Sequence, residues 1–217
     1  PLRWNKISDA VVRRLPLYLR VLDEVARVGE TQMISSQELG DKAGVGSALV
    51  RKDLAWFGEF GKQGVGYEVE FLRRELKRIL NLDKEHKVVL VGAGSLGIAL
   101  ARYNIRRYNT DDSFNLKIIG LFDHDPTKLG RIFEGIEVRS SDELENFVRE
   151  NNVKMAIITV PADAAQDVAV QLVRGGVEAI LNFAPIKLNV PEHVQVASAD
   201  LTLELQRLAY YLSEEQI

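Results

Sequence analysis

The sequence predicts an α/β chain built from an N-terminal winged helix-turn-helix and a C-terminal Rossmann dinucleotide-binding domain that ends in one further helix. Three observations carry the prediction. Two short helical patterns meet at the turn Ala43-Gly44-Val45-Gly46; a hairpin follows with four glycines (Gly58, Gly61, Gly64 and Gly66) in nine residues; and beyond Lys87 apolar strands alternate with helices. The 217 residues are enough for two modest domains, and the change of texture places the parts at 1–85, 86–198 and 199–217, the last a single helix.

Composition excludes several classes. With 46% hydrophobic and 27% charged residues the chain is neither disordered nor fibrous. No apolar run approaches the roughly 18–20 residues that span a bilayer, and no signal-peptide pattern opens the sequence, so a cytoplasmic protein without a membrane partner is expected. Zero cysteines remove disulfides, zinc-thiolate sites and thiol catalysis, and His86, His124 and His193 stand too far apart to suggest a metal site. The net charge of −3 is unevenly divided: residues 1–85 carry 15 Lys and Arg against 13 Asp and Glu, whereas residues 86–217 carry 13 against 18. So small a basic surplus decides nothing by itself, and the placement of the charges must be read instead.

The first helix is marked by Val11, Val12, Leu15, Leu19, Leu22, Val25 and Ala26 at helical spacing, with Gly29 as its stop. Pro16 lies inside this run, so the helix either starts within a turn of it or is kinked there. Ser35 and Glu38 have capping-box spacing ahead of a short helix with Leu39 and Ala43, and Ser47 is placed to cap the next one. In that next helix Val50, Leu54 and Phe57 share one face, and the opposite face offers Ser47, Ala48, Arg51, Lys52 and Ala55. Small side chains permit close approach to a major groove, while Arg51 and Lys52 neutralise phosphates or donate to guanine edges; the competing reading is an ordinary solvated face. Lys62 and Gln63 at the tip of the glycine hairpin suit a wing laid along DNA, against the reading of a plain turn. Val69, Leu72, Leu76, Ile79 and Leu80 form a closing helix, on which Arg73, Arg74, Lys77 and Arg78 are expected to be a solvated face.

Past Lys87 the strand Lys87-Val88-Val89-Leu90-Val91 runs into Gly92-Ala93-Gly94-Ser95-Leu96-Gly97, a GxGxxG sequence between a strand and a helix. The first glycine makes the turn, the second lets the backbone approach a pyrophosphate at the helix N-terminus, and the third allows close packing of helix on strand. A second strand, Leu116 to Phe122, ends at Asp123, with extra length assigned to a loop around Asn109-Thr110-Asp111-Asp112. A carboxylate there accepts from the adenosine ribose and repels a 2′-phosphate, which favours NAD(H) over NADP(H).

Further strands are expected at 136–138, 154–160 and 178–182, with helices at 141–151 and 162–174. Ligands of open α/β sheets bind at the carboxyl ends of the strands, so Thr159-Val160-Pro161 and Asn182-Phe183-Ala184-Pro185 border the nicotinamide side, unless they are merely strand-to-loop punctuation. The stretch after Pro191 is too short for a substrate domain, and no His–Asp or Lys–Tyr constellation offers an acid or base, so no catalytic residue is assigned and no enzyme is expected. The apolar stripe Leu201, Leu205, Leu208 and Leu212 needs a partner, either within the chain or across a dimer, since helix-turn-helix proteins generally read two half-sites with two subunits.

Val50-Arg51-Lys52-Asp53-Leu54, the hairpin Gly58 to Tyr67, Gly92 to Gly97, Phe122-Asp123 with Asp125-Pro126, Thr159-Val160-Pro161 and Ile180-Leu181-Asn182-Phe183-Ala184-Pro185 together resemble the Rex family of bacterial redox-sensing transcriptional repressors over essentially the whole chain. The resemblance implies a homodimer on inverted-repeat operator DNA, with the C-terminal helix swapped between subunits and NAD(H) as the sensed ligand. It implies repression of genes for NADH reoxidation, relieved when NADH rises. By motif position it also places Phe122 with Asp123 in the cofactor site, Tyr103 near the nicotinamide, Asp200 at the start of the swapped helix and Arg20 as its partner. Leu201 departs from members that carry an aromatic residue there, which bears on the shape of the nicotinamide pocket. Two alternatives, a small NAD-dependent oxidoreductase and a CoA-binding Rossmann module suggested by Asn182 to Pro185, leave residues 1–85 unexplained.

Overall fold

The computed structural model describes residues 7–29, 32–62, 64–111 and 114–212, which fall into two compact units dividing between Lys84 and Glu85. Gln63 lies outside the described residues.

The first unit holds α1 (Asp9–Val28), β1 (Met33–Ile34), α2 (Ser36–Ala43), α3 (Ser47–Ala55), β2 (Gly61–Lys62), β3 (Gly66–Glu68) and α4 (Val69–Ile79). Its antiparallel sheet has the order β1-β3-β2, with Ile34 opposite Tyr67 and Lys62 opposite Gly66. The strand β1 is too short to leave a periodic signal and is formed by its pairing with the wing. Leu15, Tyr18 and Leu22 of α1, Leu39 of α2, Val50 and Leu54 of α3 and Leu72 and Leu76 of α4 close over one core.

Two local expectations are corrected here, and of the two alternatives at Pro16 a helix start within one turn of it is excluded. The helix α1 begins at Asp9 and continues past Pro16; Pro16 and Val12 are both exposed, so the carbonyl that loses its donor faces water. Ser47 is not a cap: Gly46 takes the N-cap position, its carbonyl already accepting from the Leu49 and Val50 N–H groups at 2.9 and 3.1 Å. Arg73 and Lys77 do not face solvent, because α4 packs on α1 and draws them onto Asp23, at 2.6 and 4.0 Å; only Arg74 and Arg78 remain exposed.

The second unit holds β4 (His86–Val91), α5 (Ser95–Thr110), β5 (Leu116–Asp123), β6 (Ile132–Phe133), β7 (Ile136–Ser140), α6 (Leu144–Glu150), β8 (Met155–Ile158), α7 (Ala162–Gly175), β9 (Ala179–Asn182), β10 (Gln195–Ser198) and α8 (Leu201–Ala209). The seven strands lie in the order β10-β9-β8-β4-β5-β7-β6, all parallel to their neighbours except β6. In β4, Val89 and Val91 enter the core shared with α6 and α7, while Val88 and Leu90 enter the core beneath α5. Such a strand, buried on both faces, reads as an unbroken apolar run. After β5 and β7 the chain returns to the opposite side of β4 to form β8, so the order of winding reverses between β4 and β8.

The loop proposed at Asn109 and Thr110 is instead the last turn of α5, where the Thr110 hydroxyl donates to the Arg106 carbonyl at 2.9 Å. The strands β6 and β10 escape prediction because each is short and at a sheet edge, with mixed exposure. Leu201, Leu205, Leu208 and Leu212 are between 50% and 81% exposed, so the structure does not bury the terminal stripe within the chain.

Candidate functional site

In the first unit α3 is held by its inner face. Asp53, 1% exposed, accepts from Arg14 Nε at 2.6 Å and Nη2 at 2.8 Å and from the Tyr18 hydroxyl at 2.7 Å. Burial by itself would raise the Asp53 pKa, but these hydrogen bonds and the Arg14 charge outweigh it and hold the carboxyl below its usual range. Burial, joined by the bond to Asp53, pushes the Tyr18 hydroxyl up. With the inner face fixed, Ala48, Arg51, Lys52 and Ala55 project outward, and Ser47 is half-buried at the helix start. Gly40 brings α2 against this helix, since a Cβ there would land on the Val45 carbonyl oxygen.

Arg51 Nη1 donates to Ser36 Oγ at 2.9 Å, which steadies the guanidinium at the mouth of a cleft of about 810 Å³ between α3 and the wing. Ser35, Ala55, Lys62 and Val65 also line this cleft. Lys62 is exposed at the wing tip, where the Val65 N–H donates to its carbonyl at 3.0 Å. A convex, small-and-basic helix beside an exposed basic loop has the shape and charge to read a groove and its phosphates.

In the second unit the glycine loop lies at the carboxyl ends of β4 and β8. Gly92 has φ 107°, and a Cβ on it would sit 2.7 Å from the Thr159 carbonyl carbon; one on Gly97 would strike the Gly92 carbonyl oxygen. Gly94, the N-cap of α5, has open space above it. The Thr159 hydroxyl donates to the Gly92 carbonyl at 2.8 Å, and the Gly92 N–H donates to the Phe122 carbonyl at 2.8 Å, so both neighbouring strands pin the turn. The residues fit a dinucleotide: the first N–H groups of α5 lack intrahelical partners, and among the described residues nothing beyond its chain neighbours lies within 4 Å of where a Cβ on Gly94 would stand, which leaves the backbone there open to a pyrophosphate.

Asp123 is 4% exposed and already well supplied with donors. Its Oδ2 accepts from the Ala93 N–H at 2.7 Å and Lys128 Nζ at 2.9 Å, and its Oδ1 accepts from the Asp125 N–H at 2.9 Å. Burial pushes its pKa upward, yet these bonds prevail and keep it ionised. The Phe122 ring is a correction: it is fully buried, edge-on to Phe147 with centroids 5.2 Å apart, because this end of β5 is covered on both faces. Only its backbone reaches the glycine loop, through the carbonyl that accepts from the Gly92 N–H.

Asn182 is likewise buried, its amide donating to the Ala184 and Ile186 carbonyls and its Oδ1 accepting from the Ala184 N–H, so it shapes the loop after β9. Phe183 and Val160 are half-buried, Ala184 is buried and Pro161 is exposed as the N-cap of α7. Ser95 and Leu96 are exposed in the first turn of α5, and Tyr103 is exposed further along it. Asp200 caps α8, accepting from the Thr202 and Leu203 N–H groups at 2.9 and 3.3 Å, and Arg20 is exposed on α1. The residues that sequence reading missed are Arg14, Tyr18, Ser36 and Lys128. A signal existed for the first two: Asp53 falls beside Val50 and Leu54 on the apolar face of α3, and a charge there requires partners.

Two redox-sensing transcriptional repressors named Rex illustrate the likeness to known proteins. The one from Brevibacillus brevis is 47% identical, covering 97% of this chain and 99% of its own. The one from Chloroflexus aggregans is 47% identical, covering 99% and 98%. The chain belongs to the Rex family of redox-sensing transcriptional repressors. The Rex-family repressor RSP has been solved with β-NAD+ and operator DNA, and that structure matches with a TM-score of 0.88 at 40% identity over 97% of this chain and 94% of RSP. RSP with β-NADH matches at 0.83 and 38%, over 97% and 96%. Residues 6–55 match the family described as "Putative DNA-binding protein N-terminus", and residues 83–186 match the CoA binding domain family. The Rex relatives span both regions and are named repressors, so neither the oxidoreductase nor the CoA-module alternative is favoured. No helix among the described residues is long and apolar enough to cross a membrane.

Proposed function

We propose that two copies of this chain form a repressor in which residues 1–85 bind inverted-repeat operator DNA, residues 86–198 bind NAD(H) and residues 199–217 join the subunits, with NADH causing release. The observation that carries the reading is the pairing, in one chain, of an outward basic helix beside a wing with a glycine loop at the switch point of a parallel sheet. Rex-family RSP, whose structures hold operator DNA and the dinucleotide in both redox states, supports it.

On this reading Ser47, Arg51 and Lys52 enter the major groove, and Lys62 with Gln63 follows the backbone. The loop Gly92 to Gly97 receives the pyrophosphate and Asp123 the adenosine ribose. A bound dinucleotide supplies a nicotinamide ring that is cationic when oxidised and neutral when reduced. Val160, Pro161 and Phe183, which keep some exposure beside the buried Ala184, give that end of the site an apolar lining, which disfavours a buried cation and so prefers the reduced form. Tyr103 and the pair Asp200–Arg20 make contacts belonging to a closed dimer, in which the two α3 helices no longer match half-sites one helical turn apart. A hundredfold preference for the closed state, about 2.7 kcal/mol, is enough for a working switch. His124 Nδ1 lies 3.6 Å from Asp123 Oδ1, but that carboxylate is assigned to the adenosine ribose and not to the nicotinamide, so the chain acts as a sensor and not as an enzyme, and works in the cytoplasm, where operator DNA and the NADH pool meet. An operator duplex titrated with NADH at fixed NAD, with CoA as control, tests this. NADH alone releases the DNA; if NADH never does, the redox-sensor reading fails.

A further inference from the structure

Lys128 has no place in the sequence reading, yet it is the cation nearest the carboxylate assigned to the adenosine ribose. Its Nζ lies 2.9 Å from Asp123 Oδ2 and 3.9 Å from Asp125 Oδ2, and its side chain is 29% exposed, so it is held against the site while still reaching solvent. The Asp125 carboxylate turns back on its own loop, where Oδ1 accepts from the Thr127 N–H and hydroxyl, and this turn sets Lys128 over the end of β5. The carboxylate at that end therefore does not confront a ligand as an isolated negative charge. Repulsion of a 2′-phosphate scales with the net charge it meets, and one ammonium beside the Asp123 and Asp125 carboxylates leaves a single net negative charge where there would otherwise be two. Rossmann sites that accept NADP use a nearby cation to accommodate the 2′-phosphate, and Lys128 brings a cation to the same carboxylate.

We propose that Lys128 is a specificity-determining residue of the dinucleotide site: the Asp123–Lys128 pair, and not Asp123 alone, sets how strongly NADPH is refused. The proposal rests on the assignment of Asp123 to the adenosine ribose. Without the cation Asp123 keeps two backbone donors, the Ala93 and Asp125 N–H groups, and so keeps its orientation while regaining its full charge.

The test is calorimetric titration of the full chain with NADH, NADPH, 5′-AMP and 2′,5′-ADP, comparing wild type with Lys128→Met and Lys128→Arg. In Lys128→Met the affinity ratio of NADH to NADPH rises about tenfold, the scale of one unscreened charge facing a phosphate in well-solvated surroundings. The 2′,5′-ADP affinity falls in parallel while 5′-AMP changes little, and Lys128→Arg keeps the wild-type ratio. A purely structural role would weaken all four ligands together and leave the ratio unmoved. An unchanged or reduced ratio in Lys128→Met overturns the proposal even though NADH binds. If wild type binds none of the four, the dinucleotide reading fails and the proposal falls with it.

Discussion

Replacing Asp53 with Ala removes the group that fastens α3 to α1. The carboxylate accepts three hydrogen bonds, from Arg14 at 2.6 and 2.8 Å and from Tyr18 at 2.7 Å. Its loss leaves a fully buried Tyr18 hydroxyl without an acceptor and the Arg14 guanidinium without its counter-ion. Breaking a buried pair from one side costs about 3–5 kcal/mol, and because the Arg14 side chain keeps 21% exposure and recovers some hydration, the lower end, about 3 kcal/mol, is expected. A unit of this size has roughly 4–13 kcal/mol of stability in all, so the loss is a large part of it.

Both tryptophans of the chain, Trp4 and Trp56, precede Glu85 in the sequence and Trp56 lies on the first unit, so urea unfolding of the full chain followed by tryptophan fluorescence reports on the N-terminal part and not on the second unit. The effect is also pH-dependent with a definite sign. The folded pKa of Asp53 lies below its ordinary 3.8, so the stabilisation is complete above that value and is lost as the pH falls through the depressed folded pKa. Wild type and Asp53→Ala therefore converge in strong acid. A difference under about 1 kcal/mol at pH 7 refutes the argument that this cluster holds the recognition helix.

Arg51→Ala and Lys52→Ala are each expected to weaken operator binding by roughly 1–3 kcal/mol for a base contact, or to lower the salt slope by about one for a phosphate contact, with the fold intact by circular dichroism. Ser36→Ala, which frees the Arg51 guanidinium from its 2.9 Å bond, produces a smaller loss in the same gel-shift assay, and none if Arg51 faces away from DNA. Gly97→Ala abolishes NADH binding in calorimetry, because its methyl group strikes the Gly92 carbonyl oxygen and displaces the loop; undiminished affinity would show that the loop is not the pyrophosphate site. Asp200→Asn retains an N-cap acceptor for α8 but loses the charge, so DNA binding survives while release by NADH is blunted; release equal to wild type removes Asp200 from the switch. Leu205→Glu with Leu208→Glu converts a dimer to a monomer in sedimentation equilibrium, and an unchanged mass shows that the exposed stripe is not the subunit contact.

The fold class was legible in the chain because its signals are local. A strand buried on both faces has to be an apolar run such as Val88 to Val91, and a glycine loop that must pass under Thr159 and against Gly92 tolerates no side chain, so both features stand in the sequence. The Rex resemblance rests on the same local motifs, and relatives of that name match over nearly the full length.

Tertiary structure decided what depends on partners distant in sequence. Arg14 and Tyr18 meet Asp53 across 39 and 35 positions, and Arg73 meets Asp23 across 50, so no window of the chain shows that an arginine on α4 belongs to the packing and not to the solvent. The edge strands β1 and β10 exist through the neighbours they pair with. Phe122 and Asp123 are adjacent in sequence, and strand alternation sends the ring into the core while the carboxylate turns onto the glycine loop and Lys128. Sequence names the residue types that a site requires; which of them are free to meet a ligand is set by the long-range contacts that occupy the others.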